Sequence, residues 1–212
     1  MNNNSSDDSQ ALKIEIFSDG GSQPHSAACA CIIKTPERRY KLLGYLGMAT
    51  NVEAEIMGGL LGLIAVRQLA PNSQTPIIWH CDNKTVVEIA GKHLSKWVQQ
   101  RWKTNEKKHA KHQGLWRTYL ALSKDLNIAP QHVLSHNGNR DNESCDRACR
   151  WAIDTGKEKL SQNGEGFIGK MSTQESAHAW YLLDLRECVA GFRKHEDLAF
   201  EHFGLMIKPV LV

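Results

Sequence analysis

The stretch Leu12-Lys13-Ile14-Glu15-Ile16-Phe17-Ser18-Asp19-Gly20-Gly21 decides the fold, since it predicts a β-strand that runs into an acid and a glycine turn. Residues 76–81 form a second β-rich stretch, and Asp82 follows it directly. Acids do not usually cluster at strand ends without a cation, and Mg²⁺ prefers carboxylate oxygens. The two stretches therefore predict a sheet that carries a metal site at the ends of its strands.

Further elements follow from hydrophobic periodicity on either side of these stretches. Strands are predicted at residues 12–18, 26–34, 40–46, 76–80 and 131–135, and helices at 52–70, 84–90, 115–126 and 142–160. The short connections between the first three strands favour an antiparallel meander. The order predicts an α/β fold in which helices flank a five-stranded mixed sheet, three antiparallel strands and then two more.

Composition and charge restrict the classes of protein to which this chain could belong. The chain has 212 residues, 41% of them hydrophobic, which suffices for a real core, and a formal net charge of +3. Basic residues are concentrated between positions 92 and 117, where Glu106 is the one acid, and this asymmetry predicts a polyanionic partner. No apolar run approaches the roughly 20 residues of a membrane span. We predict a monomeric cytoplasmic protein whose six cysteines are reduced packing residues.

The chain is predicted to divide into four parts. Residues 1–10 form a disordered lead-in, 11–162 a catalytic domain, 163–170 a linker, and 171–212 a separate, mostly helical extension. Within the extension, Ser172-Thr173-Gln174-Glu175 has the form of a helix-capping box. One apolar helical face is predicted, formed by Tyr181, Leu185, Cys188, Val189 and Phe192. Docking of this face onto the core is favoured over a protein-partner site, and both interpretations stay open.

Several motifs occur together in one order, and together they resemble ribonuclease HI from about Lys13 to Ala152. They are Phe17-Ser18-Asp19-Gly20-Gly21; Ala49-Thr50-Asn51-Val52-Glu53-Ala54-Glu55-Ile56-Met57; Trp79-His80-Cys81-Asp82-Asn83; Arg101-Trp102-Lys103-Thr104 with Leu115-Trp116; and Ser135-His136-Asn137-Gly138 with Asn142-Glu143-Ser144-Cys145-Asp146. Each motif alone is a weak signal. All of them in this order are a strong one.

The resemblance implies a ribonuclease H-like fold and an endonuclease that cuts the RNA strand of RNA/DNA hybrids, leaving 5′-phosphate and 3′-hydroxyl ends. It implies two Mg²⁺ ions with substrate, for which Mn²⁺ is a substitute, held by Asp19, Glu55, Asp82 and Asp146. His136 is then expected to move a proton as the 3′ oxygen leaves. Carboxylates this crowded predict raised pKa values until metal binds.

The same resemblance distinguishes Glu55 from Glu53. The pattern Thr-Asn-x-x-x-Glu places the metal ligand at Glu55, and helix geometry agrees, because Glu55 lies beside buried Ile56 and one turn before Gly59. Glu53 then points sideways, as a first-turn acid favoured by the helix dipole.

Substrate contacts are predicted in two groups. The backbone of Gly20 and Gly21, with Asn51 and Asn83, is expected near the RNA 2′-hydroxyl, and Thr50 matches the phosphate pocket for the DNA strand. The resemblance departs from its usual pattern at Met48, at His112 and in the short turn at 20–26. The second group lies in a basic segment expected to bind the DNA strand: Trp97, Arg101, Trp102, Lys103, Lys107 and Lys108. The alternative interpretation of this segment is a pair of charged, solvent-exposed helices whose tryptophans pack in the core.

Two other classes of function compete with the nuclease. A weak or inactive hybrid-binding or interaction module would use the fold as a scaffold, but such a module is expected to have lost at least one of the acids or His136. A transposase or resolvase of the same structural superfamily would space its acids differently, so the stretch from His136 to Asp146 argues against it.

Overall fold

The computed structural model describes residues 12–70, 74–104, 108–168 and 180–193. Several sequence predictions lie outside these ranges and are not addressed by the structure. They are the lead-in at 1–10, Lys107 and the capping box at 172–175. Leu198, Phe200 and Phe203, which continue the apolar pattern of the extension in the sequence, also lie outside these ranges.

Seven strands and six α-helices are present in the described part of the chain. The strands are β1 (Ile14–Gln23), β2 (Ser26–Lys34), β3 (Arg39–Gly47), β4 (Ile77–Cys81), β5 (Ile128–His132), β6 (Gly166–Ile168) and β7 (Trp180–Asp184). The helices are α1 (Asn51–Leu69), α2 (Lys84–Glu88), α3 (Leu94–Gln99), α4 (Gln113–Ser123), α5 (Arg140–Asn163) and α6 (Arg186–Arg193), and a π-helical turn, Ile89–His93, joins α2 to α3.

All seven strands form one mixed sheet in the order β5-β4-β1-β2-β3-β7-β6. The antiparallel meander β1-β2-β3 is confirmed, and β4 and β5 add in parallel beside β1. The predicted count of five strands is wrong, because β7 pairs in parallel with β3 and β6 pairs with β7. Residues assigned to a linker and a helical extension thus enlarge the sheet before α6 begins.

Helices cover both faces of the sheet, because side chains along each central strand alternate between two cores. Ile16 and Trp79 pack with α1 and α4 in one core. Phe17 and Ala30 pack with α5 in the other. The helix α1 lies close to the sheet, since a Cβ atom on Gly59 would come 2.1 Å from the Trp79 ring.

Three predicted boundaries differ from the structure near the candidate site. β1 continues to Gln23, and Asp19 lies within the strand, because the backbone at 19–23 stays in antiparallel register with β2. β5 is shifted towards the N-terminus and ends at His132. The helix predicted at 84–90, with Gly91 as its stop signal, ends as α2 at Glu88, and Gly91 lies inside the π-helical turn that follows.

The apolar residues of α6 pack on the chain's own core. Cys188, Val189 and Phe192 are buried in the same core as α1 and α4, and Leu185 is fully buried just before the helix. Docking of this segment is therefore confirmed for the described residues. Tyr181 does not share the helical face, because it lies in β7. Within the described ranges, no helix combines the length and apolarity that crossing a bilayer requires.

Candidate active site

Close packing of β1 on α1 brings the first two acids together. A Cβ atom on Gly20 would lie 2.2 Å from the backbone carbon of Ala54 and from the nitrogen of Glu55, so only glycine allows this approach. Asp19 and Glu55 are therefore held at the strand–helix contact, where they are 6% and 4% exposed. The role of Gly20 is thus to bring the strand against the helix.

Asp82 joins this pair from the neighbouring strand. The parallel register pairs Ser18 with Cys81, so Asp82 follows β4 beside Asp19, as predicted for an acid at a strand end. Its Oδ2 accepts hydrogen bonds from Ser135 Oγ at 2.8 Å and from Asn142 Nδ2 at 3.3 Å. These two donors fix the orientation of the carboxylate.

Burial and mutual repulsion raise the pKa values of the two inner acids. Burial raises the pKa of Asp19 to about 7, with further contributions from the charges of Asp82 and Asp146. Burial and the charges of Asp19 and Asp82 raise the pKa of Glu55 to about 9. The predicted rise is confirmed, and it means that the cluster is electrostatically unfavourable without a cation.

The cluster fits a divalent metal ion. Glu55, Cys81 and Asp82 offer ligand atoms that all lie within 4.8 Å of one another. The carboxylate oxygens of Asp19, Glu55 and Asp82 are the hard donors that Mg²⁺ and Mn²⁺ accept. A divalent cation would also relieve the repulsion that raises the two pKa values.

Asp146 projects from α5 at the margin of the cluster. Its charge contributes to the raised pKa of Asp19, which places it near the other acids. In the structure its carboxylate pairs with Arg150 one turn later, with Oδ2 2.7 Å from Nη2. Metal binding at Asp146 would therefore have to compete with this exposed arginine.

The sequence predicts His136 directly after the fifth strand. In the structure β5 ends at His132, and His136 lies four residues beyond it. It is exposed, and its backbone φ of 52° is left-handed. Its neighbour Ser135 donates to Asp82, so the loop is tied to the acidic cluster. Sequence reasoning missed His132, whose Nε2 lies 3.1 Å from the carbonyl oxygen of Asp82. No local motif could have distinguished this contact.

The residues predicted to contact the RNA strand differ in their exposure and in their contacts with the acids. Asn83 caps α2, with its Oδ1 accepting from Val86, and its side chain also hydrogen-bonds Glu55. Asn51 is exposed at the first turn of α1. Gly20 is buried against α1, and a Cβ atom on Gly21 would lie 3.1 Å from Ile153.

Thr50 and Glu53 form a capping box at the start of α1. The Thr50 hydroxyl accepts from the Glu53 backbone and donates to Glu53 Oε2 at 3.0 Å. The Glu53 carboxylate also pairs with Arg193 at the end of α6, at 2.6 and 2.7 Å. Although burial alone raises the pKa of Glu53, Arg193 and Thr50 lower it to about 2. Sequence spacing identified the first-turn acid and carried no signal for Arg193.

A cleft of about 920 Å³ runs from the start of α1 to the basic segment. Its lining includes Thr50, Lys96, Trp97, Lys108, His109 and His112. Arg101 and Lys103 are exposed. The prediction that Trp102 contacts substrate conflicts with its position, because it is 7% exposed in the core with the Arg117 guanidinium 4.8 Å from its ring centre. Trp97 is therefore the predicted tryptophan that lines the cleft.

The sheet order and the acids at the junction of β1, α1 and β4 define a ribonuclease H-like α/β domain. The RNase H family model matches residues 11–154. The match exceeds half of the chain, which therefore belongs to the RNase H family and is a ribonuclease H enzyme. The strands β6 and β7 and the helix α6 lie beyond the matched residues.

Similar proteins support this assignment. Ribonuclease HI of Synechocystis sp. is 32% identical over 119 residues, which are 56% of this chain and 71% of the relative. Ribonuclease H of Blochmanniella pennsylvanica is 30% identical over 144 residues, 66% of this chain and 91% of the relative. The solved N-terminal RNase H domain of a Mycobacterium tuberculosis protein is 25% identical, with a TM-score of 0.52 over 71% of this chain and 99% of that one.

Proposed function

We propose that this protein hydrolyses the RNA strand of RNA/DNA hybrids with the help of two Mg²⁺ ions, leaving 5′-phosphate and 3′-hydroxyl ends. The observation that carries the proposal is the cluster of Asp19, Glu55 and Asp82, in which burial and mutual repulsion raise the pKa values of Asp19 and Glu55 and so favour a bound cation. LC11-RNase H1, 16% identical with a TM-score of 0.53 over 68% of this chain and 99% of that one, has been solved with an RNA/DNA hybrid, so this fold can accommodate one.

In this proposal the four acids are the residues that would hold the two metal ions. When bound, divalent ions supply a hydroxide nucleophile and stabilise the leaving oxygen. Asp19, Glu55 and Asp82 would hold them, with Asp82 oriented by Ser135 and Asn142. Asp146 would help to hold the second ion, and its carboxylate would then have to leave its ion pair with Arg150. Mn²⁺ has similar ligand preferences and should substitute for Mg²⁺.

Substrate orientation is assigned to the polar groups around the acids. Asn83, whose side chain hydrogen-bonds Glu55, is proposed to contact the 2′-hydroxyl beside the scissile phosphate. Asn51 and the backbone of Gly20 and Gly21 are further candidates for the RNA strand. Thr50 lies at the edge of the cleft that continues to the basic segment, and this cleft is proposed to take the DNA strand.

A cleavage assay with three labelled substrates tests the proposal. RNA/DNA hybrid, duplex RNA and duplex DNA are each incubated with Mg²⁺, with Mn²⁺ or with a chelator. We expect cleavage only of the RNA strand of the hybrid, only with metal, and 3′ ends that a polymerase can extend. Binding of the hybrid without cleavage would instead favour the inactive binding module.

His136→Ala should slow hybrid cleavage by roughly 10²-fold, the scale of general acid–base catalysis, without abolishing it. The side chain is exposed, so the fold should be unaffected. The measurement is kcat and KM for hybrid cleavage with Mg²⁺ present, and the variant should lose kcat with KM little changed. His25→Ala, which changes another exposed histidine in the β1–β2 turn, is the matched control. A completely inactive His136→Ala protein would mean that the histidine does more than move a proton.

Replacing Lys103, Lys107 and Lys108 with Ala should raise KM and leave kcat little changed. A plot of the logarithm of the hybrid association constant against the logarithm of the salt concentration should become shallower by about 0.9 for each lost phosphate contact. The reason is that fewer counterions are released on binding. Lys157→Ala, on the exposed side of α5, is the control and should keep the wild-type slope. An unchanged slope in the triple variant would assign these lysines to a solvated face.

A further inference from the structure

Cys81 adds a sulfur atom to the acidic cluster. It is the last residue of β4 and is fully buried. Its Sγ donates to Glu55 Oε2 at 3.7 Å and accepts from the backbone N–H of Asn83 at 3.4 Å. The thiol therefore points at a carboxylate that is proposed to hold metal.

Other buried thiols near the site are directed differently. Cys145 Sγ donates to the carbonyl oxygen of Phe17, and Cys149 Sγ donates to that of Asp19, both at 3.4 Å. Backbone carbonyl contacts of this kind are ordinary packing for a buried cysteine. Cys81 differs because its contact is with an ionisable side chain that could share a cation with it.

The separation between the Cys81 sulfur and the Glu55 carboxylate is compatible with shared coordination of a Zn²⁺ ion. A tetrahedral Zn²⁺ ion with sulfur at about 2.3 Å and oxygen at about 2.1 Å places those two ligand atoms about 3.6 Å apart. The observed separation of Cys81 Sγ and Glu55 Oε2 is 3.7 Å, and the Asp82 carboxylate is within 4.8 Å of both. A thiophilic ion could therefore enter with small side-chain movements.

We propose that Cys81, Glu55 and Asp82 form a binding site for thiophilic divalent cations such as Zn²⁺ and Cd²⁺, at which these ions compete with Mg²⁺. The inference rests on the proposed metal-dependent function of the same carboxylates. On binding, the S–H bond breaks, the proton goes to solvent and a sulfur–metal bond forms, with no change of oxidation state. Mg²⁺ is a hard ion that takes oxygen ligands and leaves the thiol protonated.

Competition at this site should inhibit the nuclease. An ion held by Cys81 engages the carboxylates of Glu55 and Asp82, which are then not free to bind Mg²⁺. Soft thiolate ligation also favours Zn²⁺ over Mg²⁺ in affinity. The side chain of one residue would thus set which metals activate the enzyme and which block it.

Titration of the metal-free, full-length protein with Cd²⁺ tests the site without substrate. We expect an ultraviolet charge-transfer band from a cadmium–thiolate bond, weakened by excess Mg²⁺. Cys81→Ser should lose the band, and Cys145→Ser, which changes a buried thiol bonded to a backbone carbonyl, should keep it. Absence of the band in the wild type, its persistence in Cys81→Ser, or insensitivity to Mg²⁺ would each overturn the inference.

A second measurement separates this inference from the proposed function. Zn²⁺ should inhibit Mg²⁺-dependent hybrid cleavage, and Cys81→Ser should need at least about 10-fold more Zn²⁺ for the same fractional inhibition, the lower end of metal-site perturbations. Equal Zn²⁺ sensitivity in both proteins would count against the site. Cd²⁺ binding through Cys81 in a protein that cuts no hybrid would refute the proposed function alone, whereas cleavage without the band would refute the inference alone.

Discussion

Asp82→Asn is expected to lower hybrid cleavage to about a tenth of the wild-type rate or less, because metal-ion stabilisation of the transition state contributes several kcal/mol. Hybrid affinity should stay within a few-fold, since the lost charge holds metal and not the nucleic acid. The amide oxygen of asparagine can still accept from Ser135 or Asn142, so the loop contacts survive. The measurement is kcat and hybrid Kd with Mg²⁺ present. A variant that retains more than this residual rate would contradict the two-metal assignment.

The same substitution should stabilise the metal-free protein. The Asp82 charge contributes to the raised pKa values of Asp19 and Glu55, about 7 and about 9. Acids whose folded pKa is raised add stability at low pH, and that stability is lost as pH rises through the folded values. Asp82→Asn should therefore melt above the wild type in chelator, by a margin that grows as pH rises from 5 to 9.

Two comparisons make this stability result decisive. Mg²⁺ should raise the melting temperature of the wild type and have little effect on Asp82→Asn. Asp154→Asn, which removes an exposed acid of α5, should behave like the wild type in both respects. If Asp82→Asn melts below the wild type in chelator and keeps its response to Mg²⁺, Asp82 is structural.

Ending the chain after Asn163 is expected to destabilise the nuclease severely. Because every matched motif lies before this point, the sequence alone predicts a folded, active enzyme after the cut, with a lower melting temperature if the extension packs on the core. In the structure the cut removes β7 from the edge of β3, and Leu185, Val189 and Phe192 from the α1–α4 core. Burial of each such side chain contributes about 1.5–3 kcal/mol, so the melting temperature should fall by on the order of 10 °C or more.

The truncation also leaves Glu53 without its guanidinium partner. The Glu53 side chain is 7% exposed, and Arg193 is the cation that offsets its burial. Loss of that partner should loosen the first turn of α1, one turn before Glu55. Thermal melting and binding of a hydrophobic dye measure the result, and we expect earlier melting with more dye bound.

Point variants on α6 keep the truncation test interpretable if the shortened chain fails to fold. Phe192→Ala should cost about 3–5 kcal/mol, because it leaves a cavity in a buried site. Glu187→Ala, on the exposed side of the same helix, should have little effect. A truncated protein that melts like the wild type and is more soluble would instead indicate that α6 covers a partner site.

Local sequence patterns were sufficient for much of the core and for the candidate acids. The meander, α1 and β4 follow from short-range periodicity, because side chains that alternate between two cores leave that alternation in the sequence. The order of motifs identified Glu55 over Glu53, and the structure places Glu55 beside Asp19. Crowded acids also predicted raised pKa values, since repulsion depends on charge and proximity alone.

Tertiary structure decided the features that depend on distant partners. Asp19 lies within a strand because β2 continues to pair with β1 beyond it. Trp102 is buried because it packs in the core that contains α1 and α4. β7 exists as a strand because β3 offers an open edge, and Arg193 meets Glu53 across 140 residues of sequence. Such long-range contacts leave no periodic pattern in the sequence. The residues next to each partner in the chain would suit several different structural environments. The fold alone brings the partners together, and with them the Cys81 thiol to the Glu55 carboxylate.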